Sequence, residues 1–492
     1  TRLDTLPVRY SPSVVESVPM PEKTKAVLSV ENESPLFWSI TRLNKAYRSG
    51  DISPVEVLEE FMNRTDAFNP SLNAYLERLD EVAIQQAKEA EKIFRNPTTV
   101  IPLLCGIPIS IKDTFELAGS VTTYGSLFFR ENHTVKDHDL VRCLRASGAV
   151  FTGKTNTPEF AQSATTENRL ADDARNPWDI SRTPGGSSGG AAASVAAGLA
   201  TAAIGADGGG SIRIPASFTG LFGFKPTYGL CRYKKGLKAM SDFIAPGPLT
   251  RCVGDARIIL EVLTDCRYSH QSLNDKRLRV AWCPLPGKNP VDPQVAKLVE
   301  EAVEKMALLG HEINEIEIPL EGWNKAFDTL VLSEEYRERG YLLKKAPQLL
   351  TDYELKSLEA GHKITAENVE NARKAHREYR QKFQEFFNNF DVIVAPVTAT
   401  TAFPIGQRPL KIDGQQVKWL WGAFPFTAPF NVSGNPAVSI PCGISECLPV
   451  GLQLVGRWNA EELLLNLCED LEEALAFDDR LVRQKWSQKS EE

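Results

Sequence analysis

Long apolar runs are missing from this chain of 492 residues. Its nearest approach to a membrane span, Ala191 to Ala206, is mostly Ala and Gly. Such a stretch has too little transfer free energy to serve as the ~20-residue apolar segment that crosses a bilayer. No membrane span is expected. Positive charge is not in excess either, with 56 Lys and Arg against 63 Asp and Glu and a net charge of −7. That balance speaks against nucleic acid as a partner, because binding phosphate needs a basic face. The nine cysteines (105, 143, 231, 252, 266, 283, 442, 447 and 468) are odd in number. Their one close pair, Cys442 and Cys447, has no His or Cys cluster beside it. Neither a disulfide framework nor a zinc site is suggested, and a reducing, cytoplasmic setting is expected. No motif asks for a metal or a cofactor. Charged residues at 24% and hydrophobic residues at 42% are ordinary for a folded protein, which excludes wholesale disorder.

The length fits roughly two to four domains or one large one. Residues 1 to 35 hold several prolines and no apolar period, and read as a surface arm. Ser53-Pro54-Val55-Glu56 carries the signals of a helix start: a capping serine, proline at the first helical position and a glutamate placed to close a capping box. A second helix is expected from about Glu81 to Phe94. Beyond Pro102, short β-branched runs alternate with helical stretches. Strands are expected around Ile107 to Ile111, Ala149 to Thr152, Arg279 to Trp282, Asp391 to Ala395, Val438 to Ile440 and Leu452 to Val455. A long helix should fill Thr365 to Phe390. Alternating strands and helices predict an α/β layered sheet.

Glycine is concentrated, with 12 of the 33 residues falling between Gly185 and Gly229. Two motifs compete as the site of chemistry. Gly148-Ala149-Val150-Phe151-Thr152-Gly153-Lys154-Thr155 matches the phosphate-loop pattern. A true phosphate loop follows a strand and opens a helix whose N-terminus receives the phosphates. Here a helix (Asp139 to Ala146) comes first and a strand follows, so the match reads as a decoy. The second motif is Pro184-Gly185-Gly186-Ser187-Ser188-Gly189-Gly190, an Ala-rich helix, and then Gly205-Ala206-Asp207-Gly208-Gly209-Gly210-Ser211-Ile212-Arg213-Ile214-Pro215. Its serines have little side-chain cover, and its glycines leave a row of backbone N–H groups free to hold an oxyanion. A flexible linker is the bland alternative. The tight Ala helix and the apolar Ile212, Ile214 and Phe218 argue against it.

A serine nucleophile needs a base. None of the six histidines (133, 138, 270, 311, 362 and 376) sits in a motif near these serines. His376 lies on an apolar helix stripe and reads as a core residue. A lysine can serve if burial keeps its amine neutral. Lys112 ends the apolar strand Gly106 to Ile111 and fits that role. Taken on its own, Lys112 is better explained as the partner of an acid at a strand end.

Taken together, these segments resemble the amidase signature family. The carrying stretches are Gly106 to Asp113, Gly153-Lys154-Thr155-Asn156, Asn176-Pro177-Trp178, Gly185 to Gly190, Gly205 to Pro215 and Gly223-Phe224-Lys225-Pro226-Thr227. Weaker similarity reaches from Gly50-Asp51-Ile52-Ser53-Pro54 to Leu448-Pro449-Val450-Gly451-Leu452-Gln453. The resemblance implies an α/β/α sandwich with a large mixed central sheet covered by helices on both faces. It implies an N-terminal arm and helices at 1–95 packed on an amidase signature domain at 96–492, with the motif core at 100–230. The family's Ser–cis-Ser–Lys triad falls on Ser211 as nucleophile, Ser187 as bridging serine and Lys112 as base. Gly208, Gly209, Gly210 and Ser211 would supply oxyanion-hole amides, with Ser188, Asp207 and Arg213 supporting the loops. One local departure is Ala206-Asp207-Gly208, where many members carry Thr-Asp and then Thr or Ile; the glycine is the position that bears on the loop. It should loosen the loop and spare the backbone donors.

The implied activity is hydrolysis of a small-molecule amide through an acyl-enzyme, with esters or carbamates as further substrates. A rival within the family is the glutaminase component of the glutamyl-tRNA amidotransferase, its A subunit, which usually has Gln where this chain has Ile214. A rival of another class is a silent binding protein on the same fold. The stretch Trp419-Leu420-Trp421-Gly422-Ala423-Phe424-Pro425-Phe426 hints at an apolar or aryl acyl group, with plain core packing as the alternative. Oligomeric state is not legible, a homodimer being one option.

Overall fold

The computed structural model describes residues 34–96, 100–231, 236–273 and 276–486. The arm expected over residues 1 to 35 lies, but for Ser34 and Pro35, outside the described residues. Eleven strands form one sheet. In chain order they are β1 (Tyr75–Arg78), β2 (Pro108–Lys112), β3 (Val150–Thr155), β4 (Ala202–Asp207), β5 (Phe222–Lys225), β6 (Ala245–Thr250), β7 (Arg279–Trp282), β8 (Glu312–Glu315), β9 (Val392–Pro396), β10 (Ala437–Ser445) and β11 (Leu448–Gly456). Their spatial order is β1-β3-β2-β4-β6-β5-β10-β11-β9-β7-β8. Pairs β3–β2–β4 and β9–β7–β8 are parallel and the rest antiparallel, which makes the sheet mixed.

Side chains alternate across a strand, so one sequence can feed two cores. Val280, Val392, Val394, Val438, Leu452 and Leu454 face helices Val253–Thr264, Pro293–Leu308 and Glu461–Leu475. Their neighbours Ala281, Ile393, Ala437 and Val455 face the opposite way, against helices Trp323–Arg339 and Ala366–Phe386. The other half of the sheet repeats the pattern. Ile109, Ile111, Phe151 and Ile204 pack on helices Ile40–Ser49, Pro54–Leu72 and Asp139–Ala146. Ala203 and Leu249 meet the Ala-rich helix Gly189–Ala196 on the far face. Each fully buried aliphatic side chain contributes about 1.5–3 kcal/mol. The expected α/β/α sandwich is what forms.

The capping box at Ser53 is present: Glu56 N donates to Ser53 Oγ at 3.1 Å, and Ser53 N donates to Glu56 Oε2 at 2.7 Å. A helix at Ile40–Ser49 precedes it and was not expected. Its apolar stripe of Ile40, Leu43, Ala46 and Tyr47 is narrow and set among Arg, Asn and Lys. The phosphate-loop match falls across the turn into β3 and along that strand. Lys154 is fully buried, its Nζ paired to Asp113 Oδ1 at 2.6 Å and donating to Thr122 Oγ1 at 2.9 Å. That amine is not available to a phosphate. ATP at millimolar concentration should therefore leave the thermal unfolding midpoint unmoved; an upward shift that disappears in Lys154→Ala would restore the nucleotide reading. None of the nine cysteines forms a disulfide. Among the described residues, no helix is long and apolar enough to cross a membrane.

Candidate active site

Strands β2 and β4 run parallel and adjacent, with Ile111 opposite Ile204. They deliver Lys112 and Asp207 to the same edge of the sheet as their last residues. The loop before helix Gly189–Ala196 crosses that edge and sets Ser187 and Ser188 against it. Lys112 Nζ is hydrogen-bonded to Ser187 Oγ at 2.6 Å and reaches Ala206 O at 3.5 Å. Lys112 makes no ion pair among the described residues, since the neighbouring Asp113 is held by Lys154. The strand-end acid pairing therefore belongs to Lys154 and not to Lys112. Burial lowers the Lys112 pKa from 10.5 to about 7, with the Asp207 charge pulling the other way.

The Gly186–Ser187 peptide bond is cis. Thr157 Oγ1 donates to Ser187 O at 3.0 Å, and Thr166 Oγ1 donates to Gly185 O at 2.8 Å while accepting from Gly189 N at 3.2 Å. Space forces glycine at 186, where a Cβ would stand 2.5 Å from Thr165 O. Ser188 N donates to Ser211 O at 3.2 Å, which ties the two serine loops together. Exposure then separates the serines. Ser188 is 0% exposed, Ser187 1% and Ser211 7%, and Ser211 alone also opens onto a large cavity.

Asp207 organises the glycine loop. Its Oδ1 accepts from Gly210 N at 2.8 Å, and its Oδ2 accepts from Ile212 N at 3.2 Å. Arg213 Nε and Nη2 grip the two carboxylate oxygens at 2.9 Å each. Burial alone would raise the Asp207 carboxyl, but the Arg213 guanidinium outweighs it and holds the group well below the usual carboxylate range. Arg213 also donates to Thr427 O (3.0 Å), Gln453 Oε1 (2.7 Å) and Asn431 Oδ1 (2.6 Å). Both partners are fully buried, so removing one strands the other's charge. Asp207→Asn should cost about 3–5 kcal/mol, read as a lower urea midpoint. A loss under about 1 kcal/mol would mean that Arg213 finds other compensation.

One sequence expectation is corrected here. The Gly210 amide is taken up by Asp207, so it shapes the loop and cannot serve as an oxyanion donor. The amides of Gly208, Gly209 and Ser211 have no acceptor among the described residues. Gly210 also has φ of 130°, a backbone region that only glycine occupies at ease.

The cavity beside Ser211 measures about 460 Å³ and is walled by Ile214, Met240, Phe327, Val331, Leu420 and Trp421 among others. The aromatic stretch divides between its two readings. Trp421 lines this cavity and meets Trp323 and Phe327 edge-on at 5.5 and 5.7 Å, whereas Phe424 and Phe426 are core residues. His376 is buried, with Nε2 2.9 Å from Val432 O; burial lowers it to about 4, as suits a core histidine. The supporting residues that sequence reasoning did not single out, Thr157, Thr166, Thr427 and Asn431, are mostly far from the serines in sequence. Asn156 and Gln453 did stand in quoted motifs: the Asn156 carbonyl receives Gly190 N at 3.2 Å, and Gln453 Oε1 accepts from Arg213.

The chain belongs to the amidase family, whose model matches residues 56–465. It is 31% identical to an acylamidase of Rhodococcus erythropolis over 91% of this chain and 98% of that protein. It is equally 31% identical to the A subunit of the glutamyl-tRNA(Gln) amidotransferase from Thermoanaerobacter pseudethanolicus, over 89% and 97% of the two chains. Among solved structures, a bacterial aryl acylamidase of the amidase signature enzymes superposes with a TM-score of 0.84 at 25% identity, covering 92% of this chain and all of the other.

Proposed function

We propose that this hydrolase cleaves small apolar or aryl carboxamides, with Ser211 as nucleophile, Ser187 as proton bridge and Lys112 as base. The observation that carries the reading is the 2.6 Å contact between Ser187 Oγ and an acid-free, buried Lys112 amine. In the neutral form, Lys112 takes the Ser187 proton while Ser187 takes that of Ser211, and Ser211 Oγ bonds to the carbonyl carbon. The resulting oxyanion is held by the amides of Gly208, Gly209 and Ser211. As the C–N bond breaks, the proton returns through Ser187 to the leaving nitrogen. Water then attacks the acyl-enzyme, gives its proton along the same path, and Ser211 is restored. Esters and carbamates are secondary substrates, because the same acyl chemistry serves them. Incubation with a fluorophosphonate probe should label Ser211, and a panel of aryl and aliphatic amides should show turnover. An unlabelled protein without turnover would favour a silent binding protein.

A second reading rests on the amidotransferase relatives: a glutaminase inside a complex. Ile214, Phe327, Val331 and Trp421 make much of the cavity wall apolar, which favours the first reading, although Gln162, Ser163, Asp328 and Lys418 also line it. Glutaminase activity that appears only with added partner proteins would select that reading.

A further inference from the structure

Two cavities meet at Ser211 and differ greatly in size. The outer one, of about 460 Å³, is bordered by Ser211 and Gly209 and does not reach Ser187. The inner one is bordered by Ser187, Ser211 and Gly208 together and has about 10 Å³ of free volume. That is room for about one water-sized molecule. Its far wall is made by Leu237, Ala239, Met240 and Ile244.

Ala161, Ser211 and Met240 border both cavities, and Met240 alone of the three brings a long side chain to their boundary. Its backbone is in the left-handed region, φ 53°, which is uncommon for a residue with a side chain. Phe243 N and Ile244 N donate to its carbonyl at 2.8 and 2.9 Å and hold the turn. A Cβ on Gly208 would overlap the Met240 sulfur. The Met240 thioether thus occupies the room into which a Thr or Ile side chain at 208 would extend.

Proton transfer fixes which half of the substrate occupies which space. The leaving nitrogen must come within hydrogen-bond reach of Ser187, the group through which Lys112 returns the proton. Of these two spaces only the inner chamber touches Ser187. The amine therefore departs into the inner chamber, and the acyl group lies in the outer cavity.

We infer that this enzyme releases ammonia: its substrates are primary carboxamides with a bulky apolar acyl group, and Met240, which closes the leaving-group chamber, is a specificity-determining residue. The inference rests on the Ser211–Ser187–Lys112 reading above. It also assigns the deacylating water to the same one-molecule chamber. Ammonia, close to water in size, fits there as a nucleophile and larger amines do not.

The test compares kcat/KM for 3-phenylpropionamide, its N-methyl amide and its anilide, with active enzyme counted by fluorophosphonate labelling. The N-methyl amide should be slower by roughly 10- to 200-fold, the effect of about one misplaced methyl group, and the anilide slower still. Met240→Ala should narrow the gap between primary amide and anilide by about 10-fold or more. In a second measurement on the unmodified enzyme, 3-phenylpropionamide and isotopically labelled ammonia should give labelled 3-phenylpropionamide and unlabelled ammonia. Benzylamine at the same concentration should give no N-benzyl amide. Labelled enzyme that cleaves the anilide as fast as the primary amide, or that passes its acyl group to benzylamine, overturns the inference and leaves the triad standing. Enzyme that is neither labelled nor active on any amide overturns the triad reading instead.

Discussion

Ser211→Ala protein should fold normally and hydrolyse no amide at a measurable rate, a loss of about 10⁴-fold or more in kcat. The change removes one oxygen from a side chain at a cavity edge. The backbone bond from Ser188 N to Ser211 O stays in place, and so does the grip of Asp207 on the loop amides. Stability should therefore move little, and circular dichroism and the urea midpoint check this directly. Activity falls because no neighbouring hydroxyl can replace the lost one. Ser187 is only 1% exposed and bonded to Lys112, and Ser188 is 0% exposed and faces β4 through Ala206. Undiminished turnover by the purified variant would remove Ser211 from the mechanism.

Lys112→Met should cost about 10²–10⁴-fold, the usual contribution of a positioned base. The pH profile of the unmodified enzyme gives the sharper test. Burial disfavours the ammonium form and brings the Lys112 pKa down to about 7. Lysine acts as base only when neutral, so log kcat/KM should fall with unit slope below about pH 7 and level off above it. A flat profile down to pH 5 would count against a lysine base. A control is available in Lys225, also fully buried and also lowered to about 7 by burial and by the Arg213 charge. Its Nζ donates to Pro226 O at 3.0 Å and has no serine partner among the described residues. Lys225→Met should leave the midpoint of the activity profile where it is.

The sequence was most informative where chemistry and backbone conformation make the same demand. Paired glycines around Ser187 and the triple glycine before Ser211 are needed both for close packing and for open amides, so both loops stand out in the chain. The Gly148 to Thr155 match fails on element order alone, and the buried Lys154 pair accounts for its lysine. Amide direction was out of reach. Nothing in the order of residues says that the Gly210 N–H turns towards Asp207 while its neighbours stay open. The aromatic stretch after Trp419 was also only half legible. Trp421 and Phe424 are alike in composition, but one lines the cavity and the other the core.

By itself, the order of amino acids determined the layered α/β architecture, through its alternation of β-branched strands and helical stripes, and it placed three serines on glycine-rich loops. The family resemblance pointed to Lys112, but only the tertiary structure shows that lysine in contact with Ser187. Lys112, Lys154 and Lys225 all end up buried, and their local sequences do not rank them. Strand neighbours separate them: β2 carries Lys112 to Ser187, an acid holds Lys154, and a backbone carbonyl holds Lys225. The physical reason is that an amine's protonation and reach depend on what surrounds it in space, and the group that Lys112 meets, Ser187, stands 75 positions away along the chain.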